Sequence, residues 1–310
     1  MEDTERDVVI ANDWLPLKQH AQRHKIYFID ELRWTTIFER RDIARCSYLS
    51  LSCQAVRTLS SAFVILSCLL VVVAAAPPGS DLKATVHVGD GTLDGSFLKP
   101  YNNAWFYSVK TADGQVRPQG IWSDHMQWTT ANGKQALLRV QGTTFVNGLS
   151  NTIINTFDPK TLAPITSEAH GIDGSIFKRT FDGAHVTSVT LANAKDTATP
   201  VASELPQAVY DFNGGLYGIL LAALPLKAGL TGSIPAVADR EDKLTVEPFH
   251  VLREEQVSAG AHGTVKAWVV ENAKSDQYVM TFWLTKTAPY IVRLVMDDKV
   301  NKRVLTWDMI

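Results

Sequence analysis

Tight turns set the strongest limit on what this chain can fold into. Gly89-Asp90-Gly91, Ala112-Asp113-Gly114, Ala131-Asn132-Gly133, Asp158-Pro159-Lys160 and Asp182-Gly183 follow one another between Leu82 and Leu191. Each is flanked by a run with strand character. Parallel neighbours need a crossover of about a dozen residues or more, and from Ala104 onward these gaps are too short for one. The runs Leu82–Val88, Ala104–Lys110, Gly120–Thr130, Lys134–Val140, Asn151–Phe157, Ala163–His170, Ser175–Phe181 and Ala184–Leu191 therefore read as antiparallel strands. Lys243–Val251, Arg253–Val257, Val265–Glu271, Tyr278–Leu284, Ile291–Met296 and Arg303–Trp307 continue the series.

One stretch breaks the pattern. Ala192–Ser203 is polar, contains a proline and reads as an exposed loop. Asp211–Gly229 (DFNGGLYGILLAALPLKAG) then follows as an apolar helix. Asp211 or Asn213 can cap its start by accepting orphan backbone N–H groups. Leu216, Tyr217, Ile219, Leu220, Leu221 and Leu224 cover most of its circumference, so it should be buried on most sides. Pro225 and Gly229 end it, and Gly232–Val237 reads as a loop. A sheet of ten or more strands must curl or split. The expected fold is mainly β: a strongly curved antiparallel sheet, an incomplete β-barrel, wrapped around a central apolar helix.

Residues Leu59–Ala76 (LSSAFVILSCLLVVVAAA) supply an apolar core after Arg57 and end on small residues, the parts of a secretory signal. The core is shorter than the roughly 20 residues that a spanning helix prefers. The expected organisation is an N-terminal extension at 1–55, a signal peptide at 56–76 and one half-barrel domain at 77–310. A retained membrane anchor at 56–76 is the alternative. A start near Val56 would leave 1–55 outside the protein altogether. The mature chain is then exported to the periplasm, or held at the membrane if the leader stays. Cys46, Cys53 and Cys68 all precede the cleavage point, so the domain is expected to fold without disulfides.

The chain carries 30 Lys and Arg against 32 Asp and Glu, a net charge of −2, and no basic patch of the kind that phosphate backbones require. Nucleic acid is not an expected partner. His87, His125, His170, His185, His250 and His262 form no HxxxH, HExxH or HxH set, so no local metal site is expected. Gly89–Gly95 has neither GxGxxG spacing nor a Walker lysine, and reads as a surface turn. No GxSxG elbow occurs, and Glu254-Glu255 reads as a solvated pair on a strand. No catalytic residue, cofactor or metal is assigned.

At this point the residues resemble a family. Phe157–Pro164 (FDPKTLAP), Asp211–Tyr217 with Leu224-Pro225-Leu226 and Gly229, and Ala267–Val270 with Phe282-Trp283-Leu284 and Pro289-Tyr290 resemble recurrent phrases of the bacterial exported domain-of-unknown-function family 3108. The resemblance runs over roughly Ala104–Asp298. It implies a half-barrel around a helix, similar in architecture to the lipoprotein carriers of the LolA/LolB type, in the envelope of a Gram-negative bacterium. It brings no catalytic residues.

Aromatic residues stud the strands, and at alternate positions they can line a concave face. Trp105, Tyr107, Trp122, Trp128, Tyr217, Leu220, Trp268 and Trp283 are the candidate cavity lining. A hollow of this kind suits a lipid or a lipoprotein acyl chain. The same residues also suit plain packing of sheet on helix. The leading expectation is a non-enzymatic periplasmic protein that binds a hydrophobic ligand. A structural or interaction protein with a filled core is the alternative, and a hydrolase with a distributed site is the third reading.

Overall fold

The computed structural model describes residues 82–238, 240–275 and 277–310. The extension at 1–55, the leader at 56–76 and the three cysteines lie outside the described residues.

Alternation and tight turns produce a long series of strands. The N-terminal set is β1 (Leu82–Thr85), β2 (Tyr101–Lys110), β3 (Val116–Ala131), β4 (Lys134–Phe145), β5 (Ser150–Phe157), β6 (Pro164–His170), β7 (Ile176–Asp182), β8 (His185–Leu191) and β9 (Val201–Glu204). The C-terminal set is β10 (Leu230–Val237), β11 (Leu244–Ser258), β12 (Thr264–Ser275), β13 (Tyr278–Leu284), β14 (Ile291–Asp298) and β15 (Arg303–Met309). All lie in one sheet of order β1-β10-β11-β12-β13-β14-β15-β2-β3-β4-β5-β6-β7-β8-β9. Pairing is antiparallel throughout, except that β1 runs parallel to β10. This corrects the antiparallel reading of Leu82–Val88: the long segment between Thr85 and Tyr101 lets β1 leave the hairpin series and join the far edge of the sheet. β1 and β9 are the two edges, so the sheet is open.

Three readings of the chain need correcting. Gly232–Val237 is strand, not loop, and Gly and Pro misdirect there for different reasons. A Cβ on Gly232 would lie 2.4 Å from the Ala84 carbonyl oxygen, so the close approach of β1 requires glycine. Pro235 lies past the end of β1, where only its carbonyl is used, accepting from Tyr210 N–H at 2.9 Å. The end of the supposed loop at Ala192–Ser203 is also paired, as the edge strand β9. Lys243–Val251 and Arg253–Val257 are one strand, β11, whose pairing with β12 shifts register between Val251 and Arg253, an irregularity of the β-bulge kind.

The helix is shorter than its apolar run. Phe212–Leu216 forms a π-helical turn in which Gly215 takes φ 115°, and only Tyr217–Ala223, here α1, is α-helix. Asp211 makes no capping hydrogen bond to the turn; its carboxylate accepts from Asn155 Nδ2 instead. Leu224 is already extended, as a residue before proline prefers. Lys286 Nζ donates to the freed carbonyls of Ala222 (2.6 Å) and Leu224 (2.5 Å), a cation at the negative end of the helix. Ile219, Leu220, Leu221 and Ala222 are wholly buried. Gly218 lets the helix press on β14, since a Cβ there would lie 2.3 Å from Ile291 Cδ1.

Connectivity explains why this segment is buried. β9 lies at one edge of the sheet and β10 sits next to the other edge, so the link between them must cross a face. The π turn packs on β5, β6 and β10, and α1 on β13 and β14. Beyond them Arg179 of β7 donates to the Ala238 and Glu241 carbonyls and pairs with Asp242, while Ser188 of β8 reaches the same carboxylate. Phe181, Val186, Leu205, Val209 and Val237 form a small apolar cluster beside these contacts. Side chains, not a backbone ladder, bring β7 and β8 to the β10–β11 loop.

Candidate functional site

Register places three rows of side chains across β2–β5 on the face that receives the helix. One row is Trp105, Trp122, Thr143, Asn151; the next is Asn103, Asp124, Gln141, Ile153; the third is Tyr101, Met126, Arg139, Asn155. Of the polar members of the second and third rows, Arg139, Gln141 and Asn155 hold the π turn. Arg139 Nε lies 3.0 and 3.1 Å from the two Asp124 oxygens, and both side chains are fully buried. Tyr101 Oη donates to the same carboxylate at 2.9 Å. Arg139 Nη1 (2.5 Å) and Gln141 Nε2 (2.8 Å) donate to the Gly215 carbonyl, and Asn155 Nδ2 (2.9 Å) to that of Gly214.

These bonds answer a need that the turn creates. The left-handed twist at Gly215 turns carbonyls out of the helical ladder, and buried carbonyls must find donors. A buried guanidinium needs a carboxylate in turn. Burial works against the charged Arg139, but Asp124, by charge and hydrogen bond, together with Tyr101 and Tyr217, outweighs it and holds the pKa above the usual arginine range. Burial pushes the Tyr101 hydroxyl well above the ordinary tyrosine value and Tyr217 up to about 12. The Arg139–Asp124 pair is neutral overall, and the clamp uses its remaining hydrogen bonds on the backbone of the turn.

Beside this clamp lies a cleft of about 110 Å³, lined by Trp122, Gln141, Thr143, Asn151, Ile153, Tyr217 and Trp307. No lining residue is charged. Both tryptophans are braced from the side. Trp105 stacks on Trp122 with centroids 4.3 Å apart, and Tyr107 stacks on Trp307 at 4.6 Å, with the rings nearly parallel. Tyr217 closes the wall, 6.3 Å from Trp122. The polar wall has both acceptors and donors. Gln141 is 2% exposed, and its Oε1 has no hydrogen-bond partner. Asn151 Oδ1 accepts from Thr143 N–H at 3.2 Å, which leaves the Asn151 amide hydrogens as donors.

The residues singled out in the sequence divide into groups. Trp122 and Tyr217 line the cleft, while Trp105 and Tyr107 brace it without lining it. Leu220 is buried inside α1. Trp268 is half-buried against the core and pairs with Leu284. Trp283 alternates away from Phe282 and Leu284; its Nε1 donates to Glu255, and Arg293 lies over its ring. Trp128 is 44% exposed, at the end of β3 far from the cleft. Gln141, Thr143, Asn151, Ile153 and Trp307 were not legible as site residues. The one signal for Gln141, Thr143 and Asn151 is polar residues at inward strand positions between apolar ones, as at Leu137-Leu138-Arg139-Val140-Gln141.

Other chemistry finds no assembled group among the described residues. Ring nitrogens of His125, His170 and His185 meet Gln127, Glu168 and Glu204, and no hydroxyl nucleophile joins any of these contacts. No cluster of three or more His, Cys, Asp or Glu that could hold a metal occurs among the described residues.

Comparison with known proteins adds a family and little else. A family model described as "Protein of unknown function (DUF3108)" matches residues 107–307. No curated protein matches the chain. Among solved structures, a beta-barrel-like protein of domain of unknown function DUF1849 from Brucella abortus is similar at a TM-score of 0.36. Its identity is 10%, over 68% of this chain and 95% of that one.

Proposed function

The chain belongs to the DUF3108 family, a protein family of unknown function, and on that premise we propose that it is an exported, non-catalytic binding protein of the cell envelope. Its ligand site is the cleft beside Tyr217, and the sheet serves as a wrapper that fixes α1 and with it that wall of the cleft. The leader-like stretch at 59–76 supports export. The observation that carries the reading is the uncharged cleft itself: braced rings on one side, the amide and hydroxyl side chains of Gln141, Thr143 and Asn151 on the other.

This surface suits a neutral ring that is apolar on its faces and polar at its edge, such as a sugar unit of a glycan. Aromatic faces carry negative potential and attract the partly positive C–H groups of a pyranose. Amide and hydroxyl side chains supply both donors and acceptors for its hydroxyls. A phosphorylated or carboxylated ligand would find no cation in the lining. A second reading keeps the carrier analogy with the LolA/LolB type, in which the end of an acyl chain enters between Ile153 and the rings. The volume of about 110 Å³ admits only the tip of such a chain, since pockets that bury whole ligands run to roughly 300 Å³ and more.

Tryptophan fluorescence separates the two. The protein is titrated with maltotriose, chitotriose and lauric acid, alongside Trp307→Leu and Asn151→Ala. A response to a trisaccharide that both substitutions weaken supports the sugar reading. Saturable binding of lauric acid alone, lost in Trp307→Leu and kept in Asn151→Ala, supports the acyl reading. No response to any of the three probes refutes the cleft as a site for either.

A further inference from the structure

Three of the most exposed large apolar residues, Val116 (62%), Val146 (69%) and Val300 (64%), sit at one rim of the sheet, Val146 and Val300 on turns and Val116 as the first residue of β3. Register makes those turns neighbours. Lys110 pairs with Val116 on one side and with Val304 on the other, so the β2–β3 and β14–β15 turns are adjacent. Val146 N–H donates to the Gln119 carbonyl at 2.8 Å, which sets the β4–β5 turn against the start of β3. Exposed apolar residues scattered singly need no explanation. Three on or beside adjacent turns, all far more exposed than the inward positions of the same strands, do.

The charges around them share a sign. Lys110, Arg117, Lys299 and Lys302 are all exposed, and none takes part in an ion pair among the described residues. On the same turns, Asp298 is engaged by Arg303 and Asn301, which leaves Asp113 and Asp297 as the opposing carboxylates. Asp113 is further tied to Thr111 Oγ1 and Gln115 N–H. The rim is therefore basic on a chain whose net charge is −2.

We propose that this rim docks on the surface of an anionic lipid bilayer, with Val116, Val146 and Val300 entering the headgroup region and the four cations facing lipid phosphates. Apolar tips gain by leaving water, and basic residues within a Debye length are drawn to anionic headgroups. The inference is independent of the cleft and goes beyond the proposed function. It orients the sheet with its β2–β3, β4–β5 and β14–β15 turns toward the membrane.

Hydrogen exchange read by mass spectrometry on the full chain tests it, because this readout locates the contact even if the leader also holds lipid. Vesicles of phosphatidylglycerol with phosphatidylcholine should slow exchange of amides in 111–117, 145–149 and 299–302 by roughly fivefold or more. Pure phosphatidylcholine vesicles should leave them near their free rates. Val116→Ser/Val146→Ser/Val300→Ser should abolish the slowing, as should Lys299→Glu/Lys302→Glu. The proposal is overturned if the three turns exchange freely on anionic vesicles, or if neither variant changes their protection. It is also overturned if they are protected without vesicles in a concentration-dependent way, which would make the rim a contact between two copies.

Discussion

Arg139 is the residue on which the buried polar clamp turns. Its guanidinium is fully buried against Asp124 and also donates to the Gly215 carbonyl. Replacing it with methionine removes the partner of a buried carboxylate and a donor to the turn at once. Arg139→Met should lower stability by about 3–5 kcal/mol in urea unfolding. Asp124→Leu/Arg139→Met should recover part of that loss, because no buried charge is then stranded. Gly215 is the complement of this pair. At φ 115°, a Cβ there would meet Gln141 Nε2 at 2.6 Å and Asn155 Oδ1 at 2.8 Å. Gly215→Ala should cost about 1–3 kcal/mol from backbone strain alone. It should also disturb the Gln141 wall of the cleft, read as a change in Trp fluorescence.

At the scale of elements, α1 is held by closeness to β14. Gly218→Ala should cost about 1–3 kcal/mol by overpacking against Ile291. Ile291→Val, by shortening that side chain, should relieve part of the cost in the double variant, a coupling measurable by a double-mutant cycle. Strands with clear alternation and tight turns, such as β7 and β8 around Asp182-Gly183, were legible because period and turn chemistry agree. β10 was not, because Gly232 and Pro235 carry loop signals locally while the close approach of β1 and the acceptor-only use of Pro235 arise from pairing over long range. The helix read too long because its apolar run continues past the point where Leu224 turns extended. Its π turn had no signal beyond the Gly214-Gly215 pair. The cleft was half legible: an aromatic residue at a strand position marked Trp122 and the apolar helical run marked Tyr217, but amide residues on β4 and β5 look like any solvated strand face until register joins them.

For the whole molecule, tyrosine ionisation ties stability to alkaline pH. All six tyrosines among the described residues have hydroxyls pushed above the ordinary value of 10.0, chiefly by burial, with Tyr107, Tyr210 and Tyr217 at about 12. A group whose pKa is raised on folding adds stability that is complete below its unfolded value and fades as pH climbs through the folded one. The urea midpoint should therefore fall between pH 10 and 12. Tyrosinate absorbance of the folded protein should lag behind that of the unfolded chain. Coincident titration of both states would contradict the burial of these rings. On the proposed reading, a short buried helix fills the curved face and leaves a small aromatic–amide cleft for a neutral ligand. A crystal structure grown with a saturating trisaccharide tests this most directly. The expected result is a sugar ring against Trp307 and Tyr217, with a hydroxyl accepting from the Asn151 amide and α1 unmoved. A structure in which α1 swings out to open a continuous channel, or in which the sugar binds elsewhere and the cleft stays empty, would contradict it.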